Sequence, residues 1–269
     1  MAVRRTTAPA GALLAAAALA LVAGCGGGPA GDAGTRATTD EPAADAAAGG
    51  GEGAPDGSPA GGAGAATPEA DDGTSVVARS AGEVAVFAAP GDGEPTVVLP
   101  ATTEFGSPRA LLVVAGDGDW LEVALPERPN GSTGWIRADG VELRTIDESI
   151  VIDLTARTLT LYDGGDEVLT TPVAVGTDDN PTPTGDFYVV DKLDTGDPTG
   201  PYGRFALGLS AHSDVLTEFA GGDGQVGIHG TDDPSSIGQA VSHGCVRVPG
   251  EVAQRLNDTV NLGTPVAVT

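Results

Sequence analysis

From residue 75 to residue 146 the apolar residues come in short runs: VVARS, VAVFAAP, PTVVLP, ALLVVAGDGDWLEVAL and GWIRADGVEL. Apolar positions that alternate with polar ones have the period of a strand burying one face. Gly, Pro and Asp separate the runs and supply the turns. Even strand spacing of this kind predicts a small barrel or sandwich. From 147 to 269 the strands lengthen. SIVIDLTARTLTLYDGG reads as a hairpin turning at Thr155-Ala156-Arg157, and VLTTPVAVG adds a strand. TGDFYVVDKL and FALGLS are two more, and TPVAVT closes the chain. Two helices interrupt them. One is short, with Asp233 as N-cap and Pro234 as first helical residue, and runs through SSIGQA; the other covers about Glu251 to Asn257. The fold class is mostly β with minor helix.

Residues 26 to 74 hold no Val, Leu, Ile or aromatic residue. Gly, Ala, Pro, Thr and acidic residues cannot bury enough surface to offset the entropy of ordering, so 25–74 is expected to be a disordered tether. A flexible coil of that length spans roughly 40 Å r.m.s.. Upstream, MAVRR supplies positive charge and an apolar run extends from Ala10 to Ala23. That is the length of a signal peptide and short for a bilayer span. It ends in Leu21-Val22-Ala23-Gly24-Cys25, which resembles a lipobox. The resemblance implies a lipoprotein signal over 1–24 and lipid on Cys25. The chain would then be anchored to the membrane outside the cytoplasm, facing the cell wall. Simple secretion with cleavage nearby is the alternative.

Charge narrows the partners. The 269 residues carry 38 acidic and 13 basic side chains, a net charge of −25, with a single lysine at Lys192. Phosphate binding needs a basic surface, so nucleic acid is not an expected partner. There are two cysteines. If Cys25 carries lipid, Cys245 has no partner for an intramolecular disulfide, and a lone thiol outside the cytoplasm is a candidate nucleophile.

Cys245 lies in VGIHGTDDPSSIGQAVSHGCVRV, with two of the three histidines, His229 and His243. A strand, short helix and strand would bring His229 and Cys245 together. An imidazole beside a thiol can take its proton, and the Gly230 carbonyl could orient the ring. The N–H groups of Gly244 and Cys245 could face a developing oxyanion. Other readings stay open on these residues alone. His212, His229 and His243 could recruit zinc, although paired ligand spacing is absent. A papain-type protease would place its cysteine ahead of its histidine. Cys245 could also be a buried structural residue beside a satisfied histidine. Asp232 and Asp233 read as turn and cap.

Two resemblances add to this. GDWLEVAL followed by GSTGWIRADGVEL resembles a bacterial SH3-like domain over 75–146, with wall material as a possible ligand. Trp120 and Trp135 are expected to pack there rather than to form a ligand platform. His229-Gly230-Thr231, a spacer, then Ser242-His243-Gly244-Cys245-Val246-Arg247 resembles the signature of the YkuD-type L,D-transpeptidase catalytic domain. IVIDLTARTLTLYDGGDEV, TPVAVGTDDNPTPTGDFYV and PYGRFALGLS match that family's other segments in order, so the resemblance covers 147–269. It implies a β-sandwich domain with the site in a cleft. It makes Cys245 the nucleophile, His229 the general base, Gly230 its backbone orienter and Gly244 an oxyanion donor. His243 would support the site, Arg247 would receive a stem carboxylate, and Ser242 and Tyr202 would lie beside the substrate. His212 is a further candidate for the cleft wall, and Gly185 reads as a turn residue. The implied reaction needs no metal or cofactor. It forms 3→3 cross-links between tetrapeptide stems of peptidoglycan through a thioester, and carbapenems should acylate the thiol. Water as acceptor would give an L,D-carboxypeptidase and a protein acceptor an attaching enzyme. A non-catalytic wall-binding lipoprotein is the alternative of a different class.

Overall fold

The computed structural model describes residues 73–219 and 221–269. The signal segment, Cys25 and the tether up to residue 72 lie outside the described residues. Two sets of strands follow in chain order. The first contains β1 (Ser75–Arg79), β2 (Val84–Val86), β3 (Val97–Leu99), β4 (Ala110–Asp117), β5 (Trp120–Ala124), β6 (Thr133–Arg137) and β7 (Glu142–Ile146). Five of these form one sheet in the order β6-β5-β4-β1-β7, and β2 pairs with β3 beside it. Alternation does what the sequence pattern predicts: Leu121, Val123 and Ile136 point inward, and the neighbours between them do not. Trp120 and Trp135 are half-buried. The Trp120 ring meets the edge of Phe87 at 5.1 Å and carries the Arg137 guanidinium 5.2 Å above it, so it packs at the rim of this core.

The second set contains β8 (Glu148–Asp153), β9 (Thr158–Asp163), β10 (Asp166–Pro172), β11 (Val175–Gly176), β12 (Gly185–Asp194), β13 (Phe205–His212), β14 (Gln225–His229), β15 (Ala240–Ser242), β16 (Val246–Arg247), helix α1 (Gly250–Thr259) and β17 (Pro265–Val268). Eight strands form a sheet in the order β10-β9-β8-β17-β12-β13-β14-β16. The β8–β9 hairpin turns where expected. Asp153 accepts a hydrogen bond from Ala156 N at 2.7 Å, and Arg157 takes φ 53° to close the turn. Ile150, Ile152, Leu159 and Leu161 face a core shared with Val226, Ile228, Val246 and Leu256.

Strand β12 is buried on both faces. Phe187 and Val189 enter the core of the second set, while Tyr188 and Val190 enter the core of the first. Tyr188 is fully buried and donates its hydroxyl to the Ala124 carbonyl at 3.1 Å. The FYVV run is therefore a strand between two cores, which is why it lacks alternation.

One expected helix is corrected. The segment after Asp233 is only a 3-10 turn, Pro234–Ser236, capped by the Asp233 carboxylate accepting from Ser235 N. Gly238 at φ 84° breaks it, and Ala240–Ser242 instead pairs in parallel with β11. Helix α1 forms where predicted and runs slightly further at each end. Its buried face is Val252, Ala253 and Leu256, and it packs on β13 and β14.

Candidate active site

Strands β14 and β16 run in parallel, with Ile228 opposite Val246 and His229 opposite Arg247. This pairing places Cys245 beside Gly227, whose N–H faces the sulfur. The sixteen-residue separation in sequence thus closes to neighbouring strands. His229 is buried, and its Nδ1–H donates to the Gly230 carbonyl at 2.5 Å. That bond fixes the tautomer and leaves Nε2 as the free basic nitrogen. Burial drives the His229 pKa down to about 4; the bond to Gly230 opposes the shift and the Arg247 charge adds to it. Burial also pushes the Cys245 thiol up, against the Gly227 N–H and Arg247, which both favour the thiolate. Both groups are therefore neutral at rest.

Tyr202 stands over the imidazole, with ring centroids 4.8 Å apart at 61°. Its hydroxyl is close enough to Cys245 and Arg247 for both to act on its ionisation. Burial is the larger cause and raises its pKa. A glycine-to-glycine contact sets this height. Gly203 has φ 60°, and a Cβ there would lie 2.9 Å from the Gly230 Cα.

The turn from Ser242 to Cys245 is closed by one hydroxyl. Ser242 Oγ donates to the Cys245 carbonyl at 2.6 Å and accepts from Gly244 N at 3.1 Å. The Gly244 N–H expected to face an oxyanion is thus engaged within the turn, and among the described residues the amide next to the thiol without a partner is that of Cys245 itself. Gly244 has φ 120°, a conformation that favours glycine. Its carbonyl is held by Thr182 Oγ1 at 2.8 Å, and Thr182 Oγ1 accepts from Gly176 N at 2.9 Å. A side chain on Gly176 would run into the Asn180 carbonyl and the Thr182 N–H. Thr182 was not singled out from sequence, although it opens the Thr182-Pro183-Thr184-Gly185 segment. Gly185 begins β12 at φ 138°.

Arg247 is half-buried, with its Nε buried and without a hydrogen-bond partner among the described residues. No carboxylate pairs with it among the described residues. Its charge is thus directed at the thiol and imidazole rather than spent on a local aspartate. His243 is exposed and stacks on Phe219, 5.3 Å between centroids and 30° between planes. His212 is not part of this group. It ends β13 at the opposite end from Phe205, buried, with Nε2 3.0 Å from an Asp223 carboxylate oxygen. Among the described residues no three His, Cys, Asp or Glu side chains gather in a way that could hold a metal ion.

Residues 147–268 match the family described as the L,D-transpeptidase catalytic domain (YkuD). The YkuD protein of Bacillus licheniformis is 39% identical over 125 residues, covering 46% of this chain and 67% of that protein. The YkuD protein of Bacillus subtilis is 37% identical over 124 residues, with the same coverage of each. The chain belongs to the YkuD family. Among solved structures, Bd1075 of Bdellovibrio bacteriovorus is 25% identical over 46% of this chain, with a TM-score of 0.38, and the match spans 48% of that chain. In the YkuD domain of this chain, His229, Gly230, Tyr202, Arg247 and Cys245 gather where β14 meets β16.

Proposed function

We propose that this protein is a cell-wall L,D-transpeptidase that forms 3→3 cross-links between peptidoglycan stems. The observation that carries the proposal is the His229 tautomer, on the strand paired with the one that follows Cys245: Nδ1 is committed to Gly230, which leaves Nε2 as the basic nitrogen. Because both groups rest neutral, proton transfer accompanies attack. The Cys245 proton passes to His229 Nε2 as sulfur bonds to the carbonyl carbon of the third stem residue. The developing oxyanion is met by the Cys245 N–H. The C–N bond to the terminal D-alanine then breaks, and His229 returns the proton to the leaving amine. A thioester remains on Cys245. A side-chain amine from a second stem attacks it, loses its proton to His229 and frees the thiol. Arg247, unpaired by any described carboxylate, is the group to receive a stem carboxylate, and Tyr202 covers the imidazole from solvent. Ser242 serves by shaping the turn. The SH3-like reading of 75–146 with a wall ligand, the lipid on Cys25 and a place on the outer face of the membrane belong to the same proposal. They rest on the motifs of the sequence.

Purified disaccharide-tetrapeptide incubated with the protein should yield cross-linked dimer and free D-alanine, read by mass spectrometry. Cys245→Ala should abolish both while leaving the thermal transition unchanged. Dimer formation by that variant would rule the mechanism out. Tripeptide as the main product would mean that water is the acceptor, and labelled wall attached to an added protein would mean a protein acceptor.

A further inference from the structure

The loop joining β13 to β14, residues 213–224, belongs to the YkuD domain but is held by the preceding strand set. The grip comes from the segment between β5 and β6. Arg128 Nη1 donates to the Ser213 carbonyl at 2.6 Å. Its Nη2 donates to the Leu216 carbonyl at 3.2 Å and the Asp223 carbonyl at 2.8 Å. One guanidinium therefore ties together the two ends of the loop and a point between them. Asn130 completes the hold on the strand before the loop. Its Nδ2 donates to the His212 carbonyl at 2.7 Å, and its Oδ1 accepts from His212 N at 2.9 Å. This imitates a strand pairing with a side-chain amide.

The loop is built to meet this grip. Gly224 has φ 82°, and a Cβ there would run into the Leu216 carbonyl and lie 3.0 Å from Arg128 Nη2. Ser213 Oγ accepts from Val215 N at 3.3 Å and Leu216 N at 3.0 Å. At the far side, Phe219 and Gly222 exchange two backbone hydrogen bonds of 2.9 Å. The loop is thus a closed unit, and its orientation follows from where Arg128 and Asn130 hold it. It carries Phe219, whose ring stacks on His243, two residues before Cys245. Phe219 is 39% exposed, so no core fixes it. The His243 ring makes no hydrogen bond among the described residues.

We propose that Arg128 and Asn130 are positioning residues for the active site: they set the loop that carries Phe219, and Phe219 sets the imidazole of His243 in the turn that leads into Cys245. The strand set before the YkuD domain thereby shapes the site without contributing a side chain to it. The role of His243 follows: it is the part of the turn that reads the state of this loop. The inference rests on the reading of the Cys245 site as the active site, and it is tested without turnover.

The chain has three histidines, so histidine-selective 13C labelling of the full protein gives three sets of ring resonances. Phe219→Ala should shift those of His243 by removing the ring current above it. Arg128→Ala should move His243 in the same direction, and the double variant should add nothing further. His212, which adjoins the grip, should move too, while His229 stays. Asn130→Ala and Arg128→Lys should give the same pattern in part. They keep the test open if Arg128→Ala does not fold. The kinetic counterpart is meropenem acylation of Cys245 by intact mass, slowed about tenfold by a misplaced His243 turn. Alkylation by iodoacetamide, a probe too small to reach the His243 ring, should hold its rate. An unmoved His243 in folded Arg128 or Asn130 variants, or additive effects in the double variant, would overturn the proposal. Failure of the wild type to acylate or cross-link would instead remove the transpeptidase reading and leave the resonance test standing.

Discussion

His229 loses its proton early on the pH scale because burial disfavours the imidazolium, and Cys245 keeps its proton because burial disfavours the thiolate. Two consequences follow at the residue scale. Acylation by meropenem should keep its rate on acidification until near pH 4, where His229 protonates, rather than fall near 6.5, the ordinary histidine value. A midpoint near 6.5 would contradict the buried, neutral imidazole. The second consequence is for stability. The unfolded chain binds a proton at this position below pH 6.5 and the folded chain does not until about pH 4. This contribution is therefore fully present above 6.5 and is lost as pH falls toward 4, on the order of 3 kcal/mol in all. The difference in unfolding free energy between wild type and His229→Gln, followed by urea titration at several pH values, should change across that window and be flat above it. His229, Cys245 and Gly230 could be singled out in sequence because their chemistry is carried by residue type, whereas the Gly244 N–H expected for an oxyanion is taken by Ser242. Thr182, Gly203 and Phe219 were not. Each acts through where the chain places it, and a threonine, a glycine or an exposed phenylalanine has many commoner uses.

Among the elements, β12 carries the most. Its residues alternate between two cores, so substitutions on one strand probe both. Tyr188→Ala should cost about 3–5 kcal/mol by cavity formation in the first core. Tyr188→Phe keeps the volume and loses the bond to the Ala124 carbonyl, which costs about 1 kcal/mol. Chemical denaturation separates the two, and equal effects would mean that the hydroxyl, not the packing, dominates. The short 3-10 turn after Asp233 teaches the opposite lesson. Its cap and proline promised a helix, but Gly238 and the pairing of β15 with β11 took the following residues. Local capping preference is worth about 1 kcal/mol and yields to strand pairing.

For the molecule as a whole, the strand set from Ser75 to Ile146 is a structural partner of the YkuD domain. It covers Tyr188 and Val190 and holds the loop of Phe219. A fragment of residues 147–269 would expose that face of β12 and release the loop. It should show increased binding of a hydrophobic dye and lower solubility than residues 73–269. A fragment as soluble and as thermally stable as the longer chain would show that this contact contributes little.

The amino-acid sequence alone determined the strand-rich class, the places of most strands, the helix α1 and the candidates His229 and Cys245, because alternation and rare reactive residues leave a local signature. The tertiary structure decided that Ser242 takes the Gly244 amide, what His243 touches, that Arg247 meets no carboxylate among the described residues, and that β12 serves two cores. Each of these depends on groups far apart in the chain, Ala124 with Tyr188, Arg128 with Asp223, Thr182 with Gly244. Such pairings are settled by packing and hydrogen-bond satisfaction over the whole fold, which no local pattern records.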